Sequence, residues 1–138
     1  RFIFIHRNPK FCMPSISNLA YNLRLGYSDH VDPLLVGKQM LSYWQQASEK
    51  LLNSRELIPE DRVIDINFDE LIDDPIKSVH SVFEKFPIKV DEEFEKKMAA
   101  RIKSKKSKDG HSYSYKDFFR ASGEVENRFK SYISYFNL

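Results

Sequence analysis

The chain is short of cysteine, glycine and long apolar runs, and each shortage removes a class of protein. With Cys12 as the lone cysteine among 138 residues, neither an internal disulfide framework nor a multi-cysteine zinc site can form. A membrane helix needs about 18 consecutive apolar residues, and no run here approaches that. No signal-peptide pattern opens the chain. The four glycines (Gly26, Gly37, Gly110, Gly123) are scattered, so there is no Gly-rich phosphate loop. Lys and Arg total 22 against 20 Asp and Glu, a balance too even to indicate a polyanionic partner by itself. With 41% apolar and 30% charged residues, the composition is that of one globular domain with a core of its own, and excludes a disordered segment.

Local patterns give the order of elements. Phe2-Ile3-Phe4-Ile5 is a continuous apolar, β-branched and aromatic run, the pattern of a strand buried on both faces. A chain that opens at Arg1 inside such a strand reads as cut from something longer. Asn8 is a good helix cap, and Pro9 suits the first helical position because its missing N–H would be unpaired there. The helix that follows is expected to carry Ile16, Leu19 and Leu23 on one face, with Pro14 kinking it or delaying its start. Residues 26–33 read as a loop. Residues 34–52 give the strongest helical pattern, with Met40, Trp44, Ala47 and Leu51 as its stripe and Trp44 expected in the core.

Residues 62–68 alternate, placing Ile64, Ile66 and Phe68 on one face of a second strand. Asp74-Pro75 restarts helix, with Ile76, Val79, Phe83 and Phe86 as the buried stripe and Pro87 as its stop. Asp91 caps another helix whose early Glu92 and Glu93 and later Lys96 and Lys97 suit the helix dipole. A last helix, about residues 122–136, is expected to bury Val125, Phe129, Tyr132 and Phe136. The order predicts a helix-rich α/β fold in which both strands join a parallel sheet, incomplete in this chain.

The end of the first strand is the sharpest chemical signal. Arg7 stands where open parallel sheets bind ligands. Its guanidinium can grip a phosphate bidentately, and free N–H groups at the start of the next helix can add donors. Ser15, eight residues on and two turns into that helix, can offer a hydroxyl to the same anion. Spacing equally allows Arg7 to pair with a carboxylate and Ser15 to cap or pack. His6 adjoins Arg7 on the strand, so the two side chains point to opposite faces, and a packed or hydrogen-bonded histidine is the expectation.

Phe4-Ile5-His6-Arg7-Asn8-Pro9-Lys10 followed by Ser15 resembles the 3′-phosphate-binding segment of sulfotransferases, in which a strand ends in Arg-(Asn/Asp)-Pro and a serine follows eight residues after the Arg. Arg62-Val63-Ile64-Asp65-Ile66-Asn67-Phe68-Asp69-Glu70-Leu71 with Asp73-Asp74-Pro75 is similar to the family's later strand and Asp-Pro helix start. Gly110-His111-Ser112-Tyr113-Ser114-Tyr115-Lys116-Asp117-Phe118 resembles the carboxy-terminal signature of the broad "sulfotransferase 3" group, with Phe119 where the family often has Gly. The resemblance implies a P-loop-like parallel sheet with flanking helices, and makes residues 1–138 the carboxy-terminal portion of one sulfotransferase-like domain. It implies 3′-phosphoadenosine-5′-phosphosulfate as donor, an acceptor hydroxyl or amine, no protein-bound metal, and Arg7 and Ser15 as the residues holding the 3′-phosphate. Nothing in the chain matches the family's 5′-phosphosulfate loop, and no catalytic base is assigned.

Lys96, Lys97, Arg101, Lys103, Lys105, Lys106 and Lys108 form a run of cations without an acid, and the rest of the chain holds 15 basic against 20 acidic residues. Such a patch can attract an anionic nucleotide or acceptor, or be a solvated helix end and loop. In cytosolic members of the family a late basic loop closes over the nucleotide, so the resemblance extends to Lys105, Lys106, Lys108 and His111 as further nucleotide contacts. Nucleic acid is not the expected partner, because no aromatics interleave the run, and at least one of Tyr113 and Tyr115 is expected to pack. The alternative reading is a non-catalytic module, either a degenerate family member or a basic unit for an anionic partner. No segment assigns a compartment, and the cytoplasm is the default.

Overall fold

In the computed structural model, which describes residues 1–104 and 114–138, strand β1 (Phe2–His6) leads through helices α1 (Pro9–Leu25) and α2 (Pro33–Arg55) to strand β2 (Val63–Asn67). Helices α3 (Phe68–Asp73), α4 (Pro75–Lys85), α5 (Glu92–Ser104), α6 (Tyr115–Phe118), α7 (Glu124–Arg128) and α8 (Lys130–Phe136) follow. The chain divides into two compact units. The strand unit comprises Arg1–His6 and Ile58–Gly110, and the helical unit comprises Arg7–Leu57 and His111–Leu138.

The strand unit is built on β1 and β2, which pair in parallel with Phe2 opposite Val63 and His6 opposite Asn67. Two capped helix starts follow β2 directly. Asn67 accepts from the Asp69 amide at 2.8 Å and Asp74 accepts from the Lys77 amide at 2.9 Å, with Pro75 opening α4 as its missing N–H allows. Ile66, Val82 and Phe86 form the buried core, with Ile64 and Leu71 against it. The burial of α4 therefore centres on Ser78 and Val82, whereas Ile76 is 37% exposed. Strand β1 also departs from expectation. Phe2, Ile3 and Ile5 are about half exposed, because among the described residues β1 has a neighbouring strand on one side only. Asp91 caps α5 through the Phe94 amide at 2.8 Å, and Lys97 and Lys96 reach back four residues to Glu93 and Glu92.

The helical unit packs α1 against α2 and closes the pair with α6, α7 and α8. Asn8 caps α1 through the Lys10 amide at 3.0 Å, and Asp32 caps α2 through the Leu34 amide at 2.9 Å. Helix α1 is already formed before Pro14, so the proline does not delay it. The face it buries carries Pro9, Met13, Pro14 and Ser17, with Ile16 and Tyr21 packed beside it, while Leu19 and Leu23 face solvent. In α2 the buried positions are Val36, Gly37, Leu41 and Arg55, and Trp44 is 41% exposed rather than in the core. The stripe turns because the partner surface comes from the distant C-terminal segment: Phe118, Phe119, Val125 and Phe129 complete a cluster with Met13 and Leu41.

Gly37 admits that segment, since a Cβ there would fall well inside contact distance of the Phe118 carbonyl oxygen. Gly123, at φ 79°, supplies the left-handed corner that starts α7. The single last helix expected from the sequence is two, broken at Phe129, whose ring is buried at the junction. Phe119 sits in extended backbone (φ −133°), which asks for no glycine, and its ring fills the core.

Candidate functional site

The candidate anion site lies in the helical unit at the start of α1. Arg7 is exposed, and its guanidinium carbon is 5.8 Å from the centroid of the Phe11 ring, within cation–π range. Phe11 and Ser15 are four residues apart on α1, so they share one face with Cβ atoms roughly 5–6 Å apart. The cation over Phe11 and the half-buried Ser15 are thus brought to neighbouring turns of one helix face. The opposite face, carrying Met13 and Ser17, is buried. The Phe11–Ser15 side of α1 therefore lies away from the buried core.

The backbone donors expected here are largely used. Pro9 has no N–H, the Lys10 amide is bonded to the Asn8 side chain, and the Phe11 amide is bonded to the Asn8 carbonyl at 3.0 Å. A well-capped helix satisfies its own first turn, so an anion here would be held chiefly by side chains.

Lys10 and Glu126 escaped the sequence reading. The Lys10 ammonium lies 3.1 Å from Glu126 Oε1, tying the first turn of α1 to α7. A hydrogen bond from its own backbone amide is the main cause holding the Glu126 carboxyl below its usual range; burial opposes it, and the hydrogen bond and charge of Lys10 lower it further. No local pattern announces a pair so far apart in sequence. Tyr115 packs as expected of at least one tyrosine. Its ring lies 5.0 Å from that of Phe119, and its hydroxyl donates to the Ala121 carbonyl at 3.2 Å and accepts from the Val125 amide at 3.3 Å.

In the strand unit His6 is 3% exposed, with Nε2 donating to Asp65 Oδ1 at 2.8 Å, the packed and hydrogen-bonded histidine that the sequence suggests. Asp69 and Glu70 lie in the first turn of α3 and Asp74 caps α4, as helix-start acids do, whereas Asp73 ends α3. Lys105, Lys106, Lys108 and His111 lie outside the described residues, as does Tyr113. Among the described residues no group of His, Cys, Asp and Glu is arranged to hold a metal, and no helix is long and apolar enough to cross a membrane.

The sequence profile of the Sulfotransferase family matches residues 1–92. That span includes the Arg7–Ser15 segment and the Asp73-Asp74-Pro75 step and ends before residues 110–118. Among curated proteins, none matches the sequence. The crystal structure of sulfotransferase STF9 from Mycobacterium avium is similar with a TM-score of 0.84 and 19% identity, over 100% of this chain and 36% of that one. Sulfotransferase STF1 from Mycobacterium tuberculosis H37Rv is similar with a TM-score of 0.75 and 22% identity, over 92% of this chain and 33% of that one. At these identities the likeness speaks to the fold. The chain spans about a third of the length of either structure.

Proposed function

The chain belongs to the sulfotransferase family, and from that premise we propose that it supplies the 3′-phosphate site of an enzyme using 3′-phosphoadenosine-5′-phosphosulfate. Residues 1–138 would be the carboxy-terminal portion of one domain with a P-loop-like parallel sheet. The sulfuryl group would pass to an acceptor hydroxyl or amine, the S–O bond to the donor phosphate breaking as the bond to the acceptor forms. The observation that carries this reading is the placement of the Arg7 cation over Phe11, one turn from Ser15 on the same face of α1.

In that role Arg7 would grip the 3′-phosphate through charge-assisted hydrogen bonds, and Ser15 would add a hydroxyl donor. Asn8 and Pro9 fix the start of α1 and with it the position of both. Holding the nucleotide by its 3′-phosphate sets the register of the sulfuryl group without taking part in proton transfer. Lys105, Lys106, Lys108 and His111 are proposed as further nucleotide contacts, on the strength of the family resemblance. The donor set suits this ligand, being a cation and a hydroxyl.

Titration calorimetry with 3′,5′-adenosine bisphosphate tests the reading. The protein is expected to bind it, and Arg7→Ala is expected to weaken binding by about 10- to 100-fold, the loss of a charge-assisted grip. Ser15→Ala should cost less, about 3- to 10-fold, as a neutral hydrogen bond does. Absence of binding, or binding indifferent to Arg7, would sink it.

A further inference from the structure

A cavity in the helical unit gathers positive charge that the Arg7 site does not use. It has a volume of about 350 Å³ and lies among the first turns of α2, the end of α6 and α7. Its apolar surface comes from Leu34, Leu35 and Phe118, and Lys38, Arg120 and Arg128 stand around it. Arg128 is steadied from α2, its Nη1 donating to Gln45 Oε1 at 3.0 Å. Among the described residues no carboxylate comes within 4 Å of any of these three cations.

Two acids line the same cavity and set its selectivity. Asp32 is committed to the α2 cap, with Oδ1 on the Leu34 amide and its charge facing the positive end of a long helix. Glu124, in the first turn of α7, is the other. Three cations against two carboxylates leave a single net positive charge. A monoanion neutralises that charge, whereas a dianion would leave the cavity net negative beside two carboxylates and costs more to strip of water. Guanidinium forks match planar or trigonal oxyanions, and the volume and the Leu34–Leu35–Phe118 surface suit an apolar body of about ring size.

We propose that this cavity binds a small organic monoanion, with a carboxylate or sulfate-ester head group between Lys38, Arg120 and Arg128 and an apolar ring or short chain against Leu34, Leu35 and Phe118. The inference stands apart from the nucleotide reading and uses neither Arg7 nor Ser15.

Chemical-shift titration of the isotope-labelled protein with phenyl sulfate, benzoate and neutral benzyl alcohol tests it. At least one of the two anions should bind in the low-millimolar range or tighter, on the order of 4 kcal/mol, with shifts centred on Leu34, Leu35 and Phe118. Binding of phenyl sulfate alone would assign a sulfate ester, of benzoate alone a carboxylate, and of both their shared oxyanion chemistry. Benzyl alcohol should bind at least about tenfold more weakly, and Arg120→Gln should weaken the anion by about tenfold. Lys38→Gln should weaken it less, and it carries the test if Arg120→Gln fails to fold by circular dichroism. Arg7→Ala should leave anion binding unchanged. Failure of both anions to bind, equal binding of benzyl alcohol, indifference to the folded charge variants, or loss of binding in Arg7→Ala would each overturn the proposal. The last result would place the anion at α1 and leave the nucleotide reading standing.

Discussion

The helical unit buries Met13, Leu41, Phe118, Phe119, Val125 and Phe129 in one cluster, with Ile16, Tyr21, Met40, Tyr115, Tyr132 and Ile133 packed around it. The strand unit has Ile66, Val82 and Phe86, with Ile64 and Leu71 beside them, and leaves Phe2, Ile3 and Ile5 about half exposed. The difference lies in how each finds a partner surface. In the helical unit residues far apart in sequence meet, so that α6 and α7 cover α1 and α2. In the strand unit the apolar residues of β1 have β2 as their one neighbouring strand among the described residues.

The family match cuts across this contrast. Residues 1–92 contain β1, β2, α3 and α4, but only the α1–α2 half of the helical core. Phe118, Phe119, Val125 and Phe129, which complete the packing behind the helix bearing Ser15, lie beyond it. The helix that presents the candidate phosphate ligands is therefore supported from outside the matched segment.

Four substitutions sharpen or break this comparison. Phe129→Ala should have the largest effect, about 3–5 kcal/mol, because it opens a cavity in the dense cluster. Trp44 is the one tryptophan and sits on α2, so urea unfolding followed by its fluorescence reads this unit. A loss below 1 kcal/mol would mean the aromatic cluster is not the main support. Ile66→Ala in the smaller core should cost about 2–3 kcal/mol. Amide exchange in β2 measures it, and an effect as large as that of Phe129→Ala would erase the contrast.

Gly37→Ala should cost about 1–3 kcal/mol, since crowding against the Phe118 backbone outweighs the helix propensity gained. A neutral or stabilising result would show that α6 does not approach α2 so closely.

Glu126→Gln should be the smallest, at no more than about 0.5 kcal/mol near neutral pH, because the pair with Lys10 is partly solvent-screened, the two side chains being 31% and 52% exposed. The Glu126 carboxyl is lowered in the folded protein from 4.5, so its contribution is present above that value and is lost as pH falls through the depressed folded value. Urea midpoints of the parent and variant should therefore converge as pH falls through that depressed value. A difference that persists or grows at low pH would rule out the ion pair as its origin.

Local chemistry was readable because it depends on neighbours in the chain. Asn8-Pro9, Asp74-Pro75 and Asp91 announced helix starts through side chains that bond amides two or three residues ahead. The Arg7–Ser15 spacing was likewise visible as a segment running from just before a helix into its second turn. The burial of particular faces was less accessible. Leu19, Leu23 and Trp44 fit a helical stripe as well as Met13, Ser17 and Leu41 do, and periodicity alone does not say which stripe meets a partner.

The sequence by itself determined the helix starts, the two strands, the family and the candidate ligands Arg7 and Ser15, because these rest on residue chemistry and short-range spacing. Only the tertiary structure decided that α1 turns Met13 and Ser17 inward, that Lys10 pairs with Glu126, that the last helix breaks at Phe129, and that Lys38, Arg120 and Arg128 share one cavity. Those facts depend on residues brought together from distant parts of the chain, where free energy is gained by excluding water between surfaces that no local pattern pairs.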